Sequence, residues 1–368
     1  MDLIYYYPLR IGAPANVARN VFKYLLKRRK ELPFENLKLF TSPKYAKEVQ
    51  KYFNDLEVVT YKNLNSISKN DLIHIPISPL VYPNSKFLLH LFAILKGKKL
   101  VLHYHGDIRV EMQLKFKYEH YLNISYIPSY IAMPYLLRSA DKLIVNSYLL
   151  SNLARSKYGV KNIVVIPNGI DDFWFEKSNE TNIALDEKPV FFYHGRLSPE
   201  KGVDLLLKGF SKAIGNNLDA KLYIAAGGSQ QEYLEKLCRN LGIEKNVMFL
   251  GHIGQKDIKS YLSNVDAAIY PSRYDSFSLV ILEAFGSANC PVYFSKQAGI
   301  HDFVLRDEYN LNVFEPTVEN ISKIIKEIVE GNYDRQVVEQ QKEFARRYAW
   351  HRVIDQYIEL YKNFVNFD

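Results

Sequence analysis

The chain has 368 residues, of which 48% are hydrophobic and 24% are charged, with 17 Gly and 15 Pro. This length predicts two hydrophobic cores, and the composition excludes disordered, collagen-like and low-complexity chains. The net charge of +8 is uneven, because residues 1–170 hold 25 Lys and Arg against 11 Asp and Glu, whereas residues 171–368 hold 23 against 29.

The predicted elements alternate between short apolar strands and longer helical patterns such as Val17–Lys30. In the first half the predicted strands are Leu3–Tyr7, Leu37–Phe40, Leu72–Pro76, Lys99–Tyr104, Lys142–Asn146 and Asn162–Pro167. In the second half they are Val190–His194, Ala220–Ala226, Val247–Leu250, Ala267–Tyr270 and Pro291–Phe294. Such alternation predicts an α/β protein with two successive doubly wound units, each a parallel sheet covered by helices on both faces.

The division into domains follows from the same pattern. We expect an N-terminal domain over residues 1–170, a polar linker over residues 171–188 and a C-terminal domain over residues 189–345. Ligands bind at the carboxyl ends of parallel strands, so two such edges facing each other are expected to enclose a cleft.

The chain shows no targeting or membrane-spanning signal. Its opening, MDLIYYYPLRIG, lacks the basic and apolar regions of a signal peptide, and no apolar run reaches transmembrane length. Cys238 and Cys290 lie too far apart in sequence for a CxxC motif and fit reduced, buried thiols. We therefore expect a cytoplasmic protein.

The first candidate site lies in FFYHGRLSPEKG, residues 191–202, where a strand ends and Ser198 with Pro199 is a plausible helix start. Arg196 and Lys201 fall on either side of this turn. Two cations beside a strand end favour an anion site, in which Arg binds a phosphate bidentately and Lys acts as a point charge. The alternative is that both are solvated loop charges.

The second candidate site lies in YPSRYDSFSLVILEA, residues 270–284, where a strand, a polar loop and a helix follow each other. The first amides of that helix are unpaired and favour a phosphate. Glu283 lies one turn into an otherwise apolar helix, where sugar hydroxyls would satisfy its carboxylate, and Asp275 lies at the mouth of the same loop. The alternative is a salt-bridged Glu and a loop-capping Asp.

GRLSPEKG followed by PSRYDSFSLVILEA resembles the donor-binding signature of retaining GT-B glycosyltransferases, in particular glycosyltransferase family 4. That family usually has two glutamates spaced E-x7-E, where this chain has Asp275 and Glu283. The resemblance extends to HYHGD at 103–107, ADKLIVNS at 140–147, IPNGID at 166–171 and the terminal helix that contains Trp350. It implies the GT-B fold, in which residues 346–368 are expected to pack back on the first domain.

The resemblance also implies roles for individual residues. Arg196 and Lys201 hold the nucleotide diphosphate, Glu283 binds the ribose, and Asp275 holds hydroxyls of the transferred sugar. Further donor contacts are expected at Gly12, Ser276, Phe277, Ser278 and Leu279, and His105 is expected near the reacting centre. Asp275 is one methylene, about 1.5 Å, shorter than the usual Glu, and Ser276 and Ser278 stand where the family often has Gly.

The family implies a hexosyltransferase that uses a nucleotide-diphosphate sugar and retains the anomeric configuration. No DxD metal-binding motif stands at a suitable strand end, so we expect transfer that requires neither a cofactor nor a metal ion. The acceptor is expected to be a glycan or a lipid-linked molecule in surface glycan synthesis. The alternatives are a catalytically idle sugar- or lipid-binding scaffold, and an epimerase or phosphorylase of the same fold. The chain lacks a recognisable nucleic-acid-binding motif, so nucleic acid is not an expected partner.

Two segments are candidates for contact with an anionic membrane surface. Residues 17–32 form a basic amphipathic pattern, which would otherwise be an ordinary surface helix with a solvated outer face. Residues 114–137 are rich in Tyr, Phe and Lys, a composition that suits a bilayer interface but would also suit a segment that closes the cleft. We therefore expect peripheral association on the cytoplasmic face through the basic N-terminal domain.

Overall fold

A computed structural model of the chain describes residues 1–9, 12–78, 80–81, 84–121, 123–176, 185, 189–215 and 219–366. Internal contacts divide the chain into two compact units. Unit 1 consists of residues 1–109, 123–169 and 350–368, and unit 2 consists of residues 110–122 and 170–349. Most of the predicted linker, residues 171–188, lies outside the described residues.

Unit 1 is built on a parallel sheet whose described strands are ordered β3-β2-β1-β4-β5-β6-β7. These strands are β1 (Leu3–Tyr6), β2 (Leu37–Phe40), β3 (Val58–Val59), β4 (Leu72–Ile75), β5 (Lys99–Tyr104), β6 (Lys142–Val145) and β7 (Ile163–Val165). The helices of this part of the chain are α1 (Ala13–Lys27), α2 (Ala46–Tyr52), α3 (Ser85–Leu95), α4 (Ile108–Glu119), α5 (Ile127–Arg138) and α6 (Tyr148–Tyr158). Most of α4 groups with unit 2.

Unit 2 is built on a second parallel sheet, with its described strands ordered β10-β9-β8-β11-β12-β13. These strands are β8 (Val190–Arg196), β9 (Lys221–Gly227), β10 (Val247–Phe249), β11 (Ala267–Tyr270), β12 (Val292–Ser295) and β13 (Val313–Phe314). Its helices are α7 (Val203–Ile214), α8 (Gln231–Asn240), α9 (Gln255–Asn264), α10 (Leu279–Ser287), α11 (Ile300–Arg306), α12 (Val318–Val329) and α13 (Gln336–Arg347). The last helix, α14 (Trp350–Asn366), belongs to unit 1.

Helices cover both faces of the unit 1 sheet. The crossovers through α3 and α5 step across the sheet in one direction and the crossover through α1 steps in the other, so right-handed connections place them on opposite faces. On one face α3, α5 and α6 share an apolar core with the strands, to which Leu89, Met133 and Leu150 contribute. On the other face α1 packs against α14, and Tyr5 donates a hydrogen bond to the carbonyl of Ala18.

The predicted fold class, two doubly wound parallel-sheet units, is confirmed. The predicted strands agree with the observed ones to within a few residues, whereas β3 and β13 were missed because each has only two residues. The predicted segment 114–137 is divided between α4 and α5. No helix in the described part of the chain is both long enough and apolar enough to cross a lipid bilayer.

Candidate functional site

The order of the strands in unit 2 places the two predicted donor-site loops side by side. Strand β8 lies at the centre of the sheet, with β9 on one side and β11 on the other. The chain direction across the sheet reverses at this point, and ligands of doubly wound sheets bind at the carboxyl edge beside such a reversal. The loops after β8 and β11 both leave from that edge.

The two loops are held together through their main chains. The carbonyl of Glu200, in the loop after β8, accepts hydrogen bonds from the amides of Arg273 and Tyr274 at 2.8 and 3.1 Å. Gly202 follows with φ +68°, and a Cβ at this position would lie 2.2 Å from the carbonyl oxygen of Pro271. Glycine is therefore required here both by the backbone conformation and by the close approach of the second loop.

The helix after the first loop begins later than at Ser198 and Pro199, where the sequence predicts its start. Residues Pro199–Lys201 form a single 3-10 turn, and α7 begins only at Val203. The hydroxyl of Ser198 does not cap a helix but donates to Oε1 of Glu200 at 2.6 Å. The turn thereby places Lys201 two residues before the start of α7.

Lys201 and Asp275, predicted from separate motifs, form an ion pair with 2.5 Å between Nζ and Oδ2. Both side chains are largely buried. Burial alone raises the pKa of the Asp275 carboxyl, but the Lys201 ammonium and the amide of Phe277 outweigh it and hold that pKa below its ordinary value. Asp275 is therefore an anion at neutral pH and is positioned by Lys201.

Arg196 is the exposed cation of the site, with 62% of its side chain accessible. Its guanidinium lies 3.2 Å from Oε1 of Glu200, which is almost completely buried. The other carboxylate oxygen of Glu200 has no hydrogen-bond partner among the described residues. Because a single salt bridge at one end leaves most of the guanidinium accessible, Arg196 is available to bind an anion.

A further acidic residue, Glu111 on α4, was not anticipated from the sequence. Burial, followed by the nearby Glu200, raises the pKa of Glu111, while the charges of Arg196 and Lys201 oppose the rise. It therefore lies within electrostatic reach of both predicted cations. No motif marks Glu111, because its segment precedes the loop after β8 by about 90 residues. That segment, residues 110–122, nevertheless groups with unit 2.

Arg273 has a structural role that the sequence did not indicate. Its guanidinium binds both carboxylate oxygens of Asp204 at 2.7 Å and donates to the carbonyl of Pro199 at 3.0 Å. Asp204 lies in the first turn of α7, where an acid is also favoured by the helix dipole. Arg273 thus fastens the second loop to the turn that carries Lys201.

The start of α10 offers its amide groups at the same edge. Ser278 precedes the helix with φ +81°, a left-handed conformation that costs energy for any residue with a Cβ. The ring of Phe277 is buried and packs edge-on against Phe303. The side chain of Phe277 is therefore not accessible to a ligand, while Ser276 and Leu279 are half-buried.

Glu283 lies one turn into α10 and faces β8 through His194. The distance between His194 Nε2 and Glu283 Oε2 is 3.5 Å, and the Nδ1 atom of His194 lies 2.7 Å from the Tyr270 hydroxyl. His194 is buried and its Nε2 makes no hydrogen bond within the described residues. The Tyr270 hydroxyl therefore positions the His194 ring, whose Nε2 faces the Glu283 carboxylate.

The two remaining predicted residues lie in unit 1. His105 follows β5. Its backbone amide donates a hydrogen bond to the hydroxyl of Ser78, and its Nε2 atom lies 2.9 Å from the carbonyl oxygen of Pro76. Because a carbonyl only accepts, Nε2 carries the proton. Burial is the main cause that lowers the pKa of His105 to about 4, so the imidazole is neutral at pH 7. Gly12 precedes α1 with φ +142° and open space where a Cβ would be.

Two family models match the chain. One, Glycosyl transferases group 1, covers residues 175–347, and the other, Glycosyltransferase Family 4, covers residues 41–172. The chain belongs to the family 4 glycosyltransferases. The candidate donor site therefore lies in the part of this glycosyltransferase that matches the group 1 model.

Curated relatives of this glycosyltransferase include uncharacterized glycosyltransferases of two prokaryotes. The one from Methanocaldococcus jannaschii is 29% identical over 54% of this chain and 54% of the relative. The one from Bacillus subtilis is 28% identical over 63% of this chain and 64% of the relative. The chain thus spans about half to two thirds of the length of these relatives.

Solved structures with the same fold match the glycosyltransferase along almost its whole length. The complex of Anabaena HepE with UDP has a TM-score of 0.72 at 18% identity, over 98% of this chain and 99% of that chain. Sucrose-phosphate synthase from Thermosynechococcus elongatus has a TM-score of 0.74 at 17% identity, over 100% and 99%. These likenesses show the GT-B fold.

Proposed function

We propose that this glycosyltransferase moves a hexose from a nucleotide-diphosphate sugar to a hydroxyl group of a glycan or lipid-linked acceptor, with retention of the anomeric configuration. The observation that carries the proposal is the buried Lys201–Asp275 ion pair, which lies beside the amino end of α10. Lys201 and Arg196 then bind the diphosphate, Asp275 holds sugar hydroxyls, and Glu283 binds the ribose. The family resemblance assigns the same roles.

In the proposed step the bond between C1 of the sugar and the diphosphate oxygen breaks, and a bond from the acceptor oxygen to C1 forms on the same face. The proton of the acceptor hydroxyl passes to the leaving phosphate. Negative charge grows on the diphosphate as its bond breaks, so Arg196, Lys201 and the first amides of α10 stabilise the transition state more than the ground state. The neutral imidazole of His105 suits a hydrogen-bonding role near the reacting centre rather than that of a fixed cation.

We propose that these cations replace a metal ion in neutralising the leaving group. Chelation by EDTA should then leave the rate of nucleotide release unchanged at saturating donor. A requirement for added Mg²⁺ or Mn²⁺ would contradict this part of the proposal. The stereochemistry is checked separately by NMR of the first product formed, where an inverted anomeric centre would contradict retention.

The donor is best identified by incubating the full chain with a panel of nucleotide sugars and measuring nucleotide release and thermal shift. UDP-glucose is the first member of the panel, because one solved structure of the same fold is a complex of Anabaena HepE with UDP-glucose. We expect at least one donor to raise the melting temperature and to release its nucleotide. No response across the panel would favour an idle binding scaffold over an enzyme.

The acceptor is proposed to be a glycan or a lipid-linked molecule at the cytoplasmic face of a membrane. Among the curated relatives, one is a Salmonella typhimurium lipopolysaccharide 1,2-N-acetylglucosaminetransferase, 25% identical over 62% of this chain and 64% of the relative. The excess of Lys and Arg in residues 1–170 supports an anionic acceptor or surface. Transfer assays with lipid-linked and soluble glycan acceptors distinguish the two classes.

A further inference from the structure

Helix α5 exposes apolar side chains on the face that points away from the core. Ile131 and Tyr135 are 64% and 71% exposed, and Ile124 in the preceding turn is exposed as well. The spacing of four residues between Ile131 and Tyr135 places these two side chains on one stripe of the helix. The opposite stripe, which includes Met133 and Leu137, is buried in the unit 1 core. The helix is therefore apolar on both sides, which is not expected of an ordinary surface helix.

Helix α3 has a second exposed apolar stripe. Leu88 and Leu95 are exposed, the latter to 77%, and lie seven residues apart on one side of the helix. Within the described residues of unit 1, all exposed Leu and Ile side chains lie on α3, α5 or the turn before α5, namely Leu88, Ile94, Leu95, Ile124 and Ile131. Isolated exposed apolar residues are common in soluble proteins, but this clustering is not.

The two stripes belong to one surface of unit 1. The right-handed crossovers through α3 and α5 lie on the same face of the sheet. The helices are also joined directly, because His90 Nε2 of α3 lies 2.8 Å from the hydroxyl of Ser139, which follows α5. In addition, the hydroxyl of Ser129 on α5 accepts a hydrogen bond at 2.9 Å from the amide of Val81, shortly before α3. We call this surface, formed by α3, α5 and the turn Ile124–Tyr126, the α3/α5 face.

The charge of the α3/α5 face has a single sign. Residues 72–106 and 120–140, which carry its two helices, contain no Asp or Glu. Its cations stand at the carboxyl ends of the helices, where Lys96 follows α3 and Arg138 ends α5. The guanidinium of Arg138 lies 5.0 Å from the centre of the Tyr135 ring. Apolar and tyrosine side chains bounded by cations match the acyl, interfacial and anionic headgroup layers of a bilayer surface.

The basic helix α1, the other candidate for membrane contact, lies on the opposite face of the unit 1 sheet. Its apolar stripe is buried, including Val21 and Leu25. Next to its carboxyl end, Arg28 is paired with both Glu31 and Asp355. Because α1 and the α3/α5 face lie on opposite sides of the sheet, they cannot both rest on one flat membrane. In the described part of unit 1, the exposed Leu and Ile side chains lie on the α3/α5 face and not on α1.

We propose that the α3/α5 face is the surface by which unit 1 docks on an anionic lipid bilayer, with the Ile and Leu side chains entering the interface and Lys96 and Arg138 contacting anionic headgroups. The proposal gives the expected membrane contact a location and does not depend on the donor or on the transfer reaction. Its test is therefore made without nucleotide sugar.

The test is co-sedimentation of the full chain at low salt with vesicles of phosphatidylglycerol and phosphatidylcholine, compared with vesicles of phosphatidylcholine alone. We expect binding to the anionic vesicles that weakens as salt is added. Ile131→Glu and Leu95→Glu should each reduce binding at least tenfold, because each puts a repelled charge where an apolar side chain inserts. Absence of binding by the unmodified chain, or equal binding to both kinds of vesicle, would overturn the proposal.

Leu305→Glu is the matched control. Leu305, on α11 of unit 2, is 64% exposed, as is Ile131, so both variants introduce the same charge at an equally exposed aliphatic position. We expect Leu305→Glu to bind vesicles as the unmodified chain does. If Leu305→Glu and Ile131→Glu lose vesicle binding equally, the α3/α5 face is not the docking surface. Sedimentation velocity without lipid tests the rival occupant, because a dimer that Ile131→Glu dissociates would assign the face to a second copy of the chain. Nucleotide release by Ile131→Glu should stay normal. Failure of the docking proposal in the vesicle assay is therefore distinguishable from failure of the transferase proposal in the nucleotide-release assay.

Discussion

The ammonium group of Lys201 is paired with the carboxylate of Asp275 in the interior of the donor-site edge, although the residues are 74 positions apart in sequence. The pair joins a residue proposed to bind phosphate to a residue proposed to bind sugar. A bound diphosphate would therefore share Lys201 with Asp275. The ion pair also positions the carboxylate of Asp275, a side chain one methylene shorter than the Glu that is usual in the family.

The ion pair should show strong energetic coupling. Lys201→Met leaves Asp275 as a buried, unpaired acid, which is expected to cost about 3–5 kcal/mol of unfolding free energy. Asp275→Asn alone is also destabilising, but the double variant should cost less than the sum of the two by more than 1 kcal/mol. Urea unfolding of the four proteins at pH 7 measures this double-mutant cycle. Additive losses would mean that the two side chains do not interact in solution.

Replacement of Glu283 should affect the use of the donor far more than the fold. Glu283→Gln keeps the size of the side chain but removes the charge that strengthens hydrogen bonds to hydroxyl groups. We expect a loss of about tenfold to a hundredfold in kcat/KM for nucleotide release, which corresponds to roughly 1.4–2.7 kcal/mol. Lys212→Ala, an exposed residue of α7 paired with Glu319, is the control and should keep full activity. Unchanged kcat/KM in Glu283→Gln would remove Glu283 from the donor site.

Periodicity and spacing were enough to predict the fold class and most of the strands. The strands of a parallel sheet are continuous apolar runs bounded by turns, and runs such as those at Lys99 and Ala267 are long enough to be recognised. By contrast, Val58–Val59 and Val313–Phe314 are too short to give a periodic signal. These two segments are strands because they pair with neighbouring strands, and a local sequence pattern does not reveal such pairing.

The candidate site was predictable where it is local in sequence and not where it depends on distant contacts. The motifs at Arg196 and Glu283 are continuous segments, so their chemistry can be read from adjacent residues. Glu111 and the clamp between Arg273 and Asp204 depend on packing between segments that are far apart in the chain. The exposed stripe of α5 could not be predicted for another reason. Both sides of this helix carry apolar residues, so the sequence alone does not show which side is buried and which is exposed.

The left-handed conformation of Ser278 predicts that this position favours glycine over alanine. At φ +81° a glycine avoids the steric cost of a Cβ, so Ser278→Gly should be more stable than Ser278→Ala by about 1 kcal/mol. Both variants lose the hydroxyl group, and comparing them isolates the backbone effect. Thermal unfolding measures the difference. Equal melting temperatures of the two variants would show that the backbone carries no strain at Ser278. In the same assay Gly202→Ala should be strongly destabilising.

The buried histidines of unit 1 should make the protein sensitive to mild acid. Burial lowers the pKa of His90 to about 4 and that of His74 to about 3, against an ordinary pKa of 6.5. Below pH 6.5 the unfolded chain binds protons that the folded chain does not, so stability falls as the pH drops from 6.5 towards 4. The loss is expected to reach about 3 kcal/mol for each such histidine.

Thermal unfolding of the full chain at pH 7.0 and pH 4.5 checks this dependence, with His90→Leu as the test variant. Leucine does not titrate, and the hydroxyl of Ser139 keeps its hydrogen bond to the carbonyl of Leu136, so the variant should lose less stability on acidification than the unmodified chain. His351→Gln, which replaces an exposed histidine of α14, is the control for the loss of a histidine. If His90→Leu and the unmodified chain lose the same stability between the two pH values, His90 is not a source of the acid sensitivity.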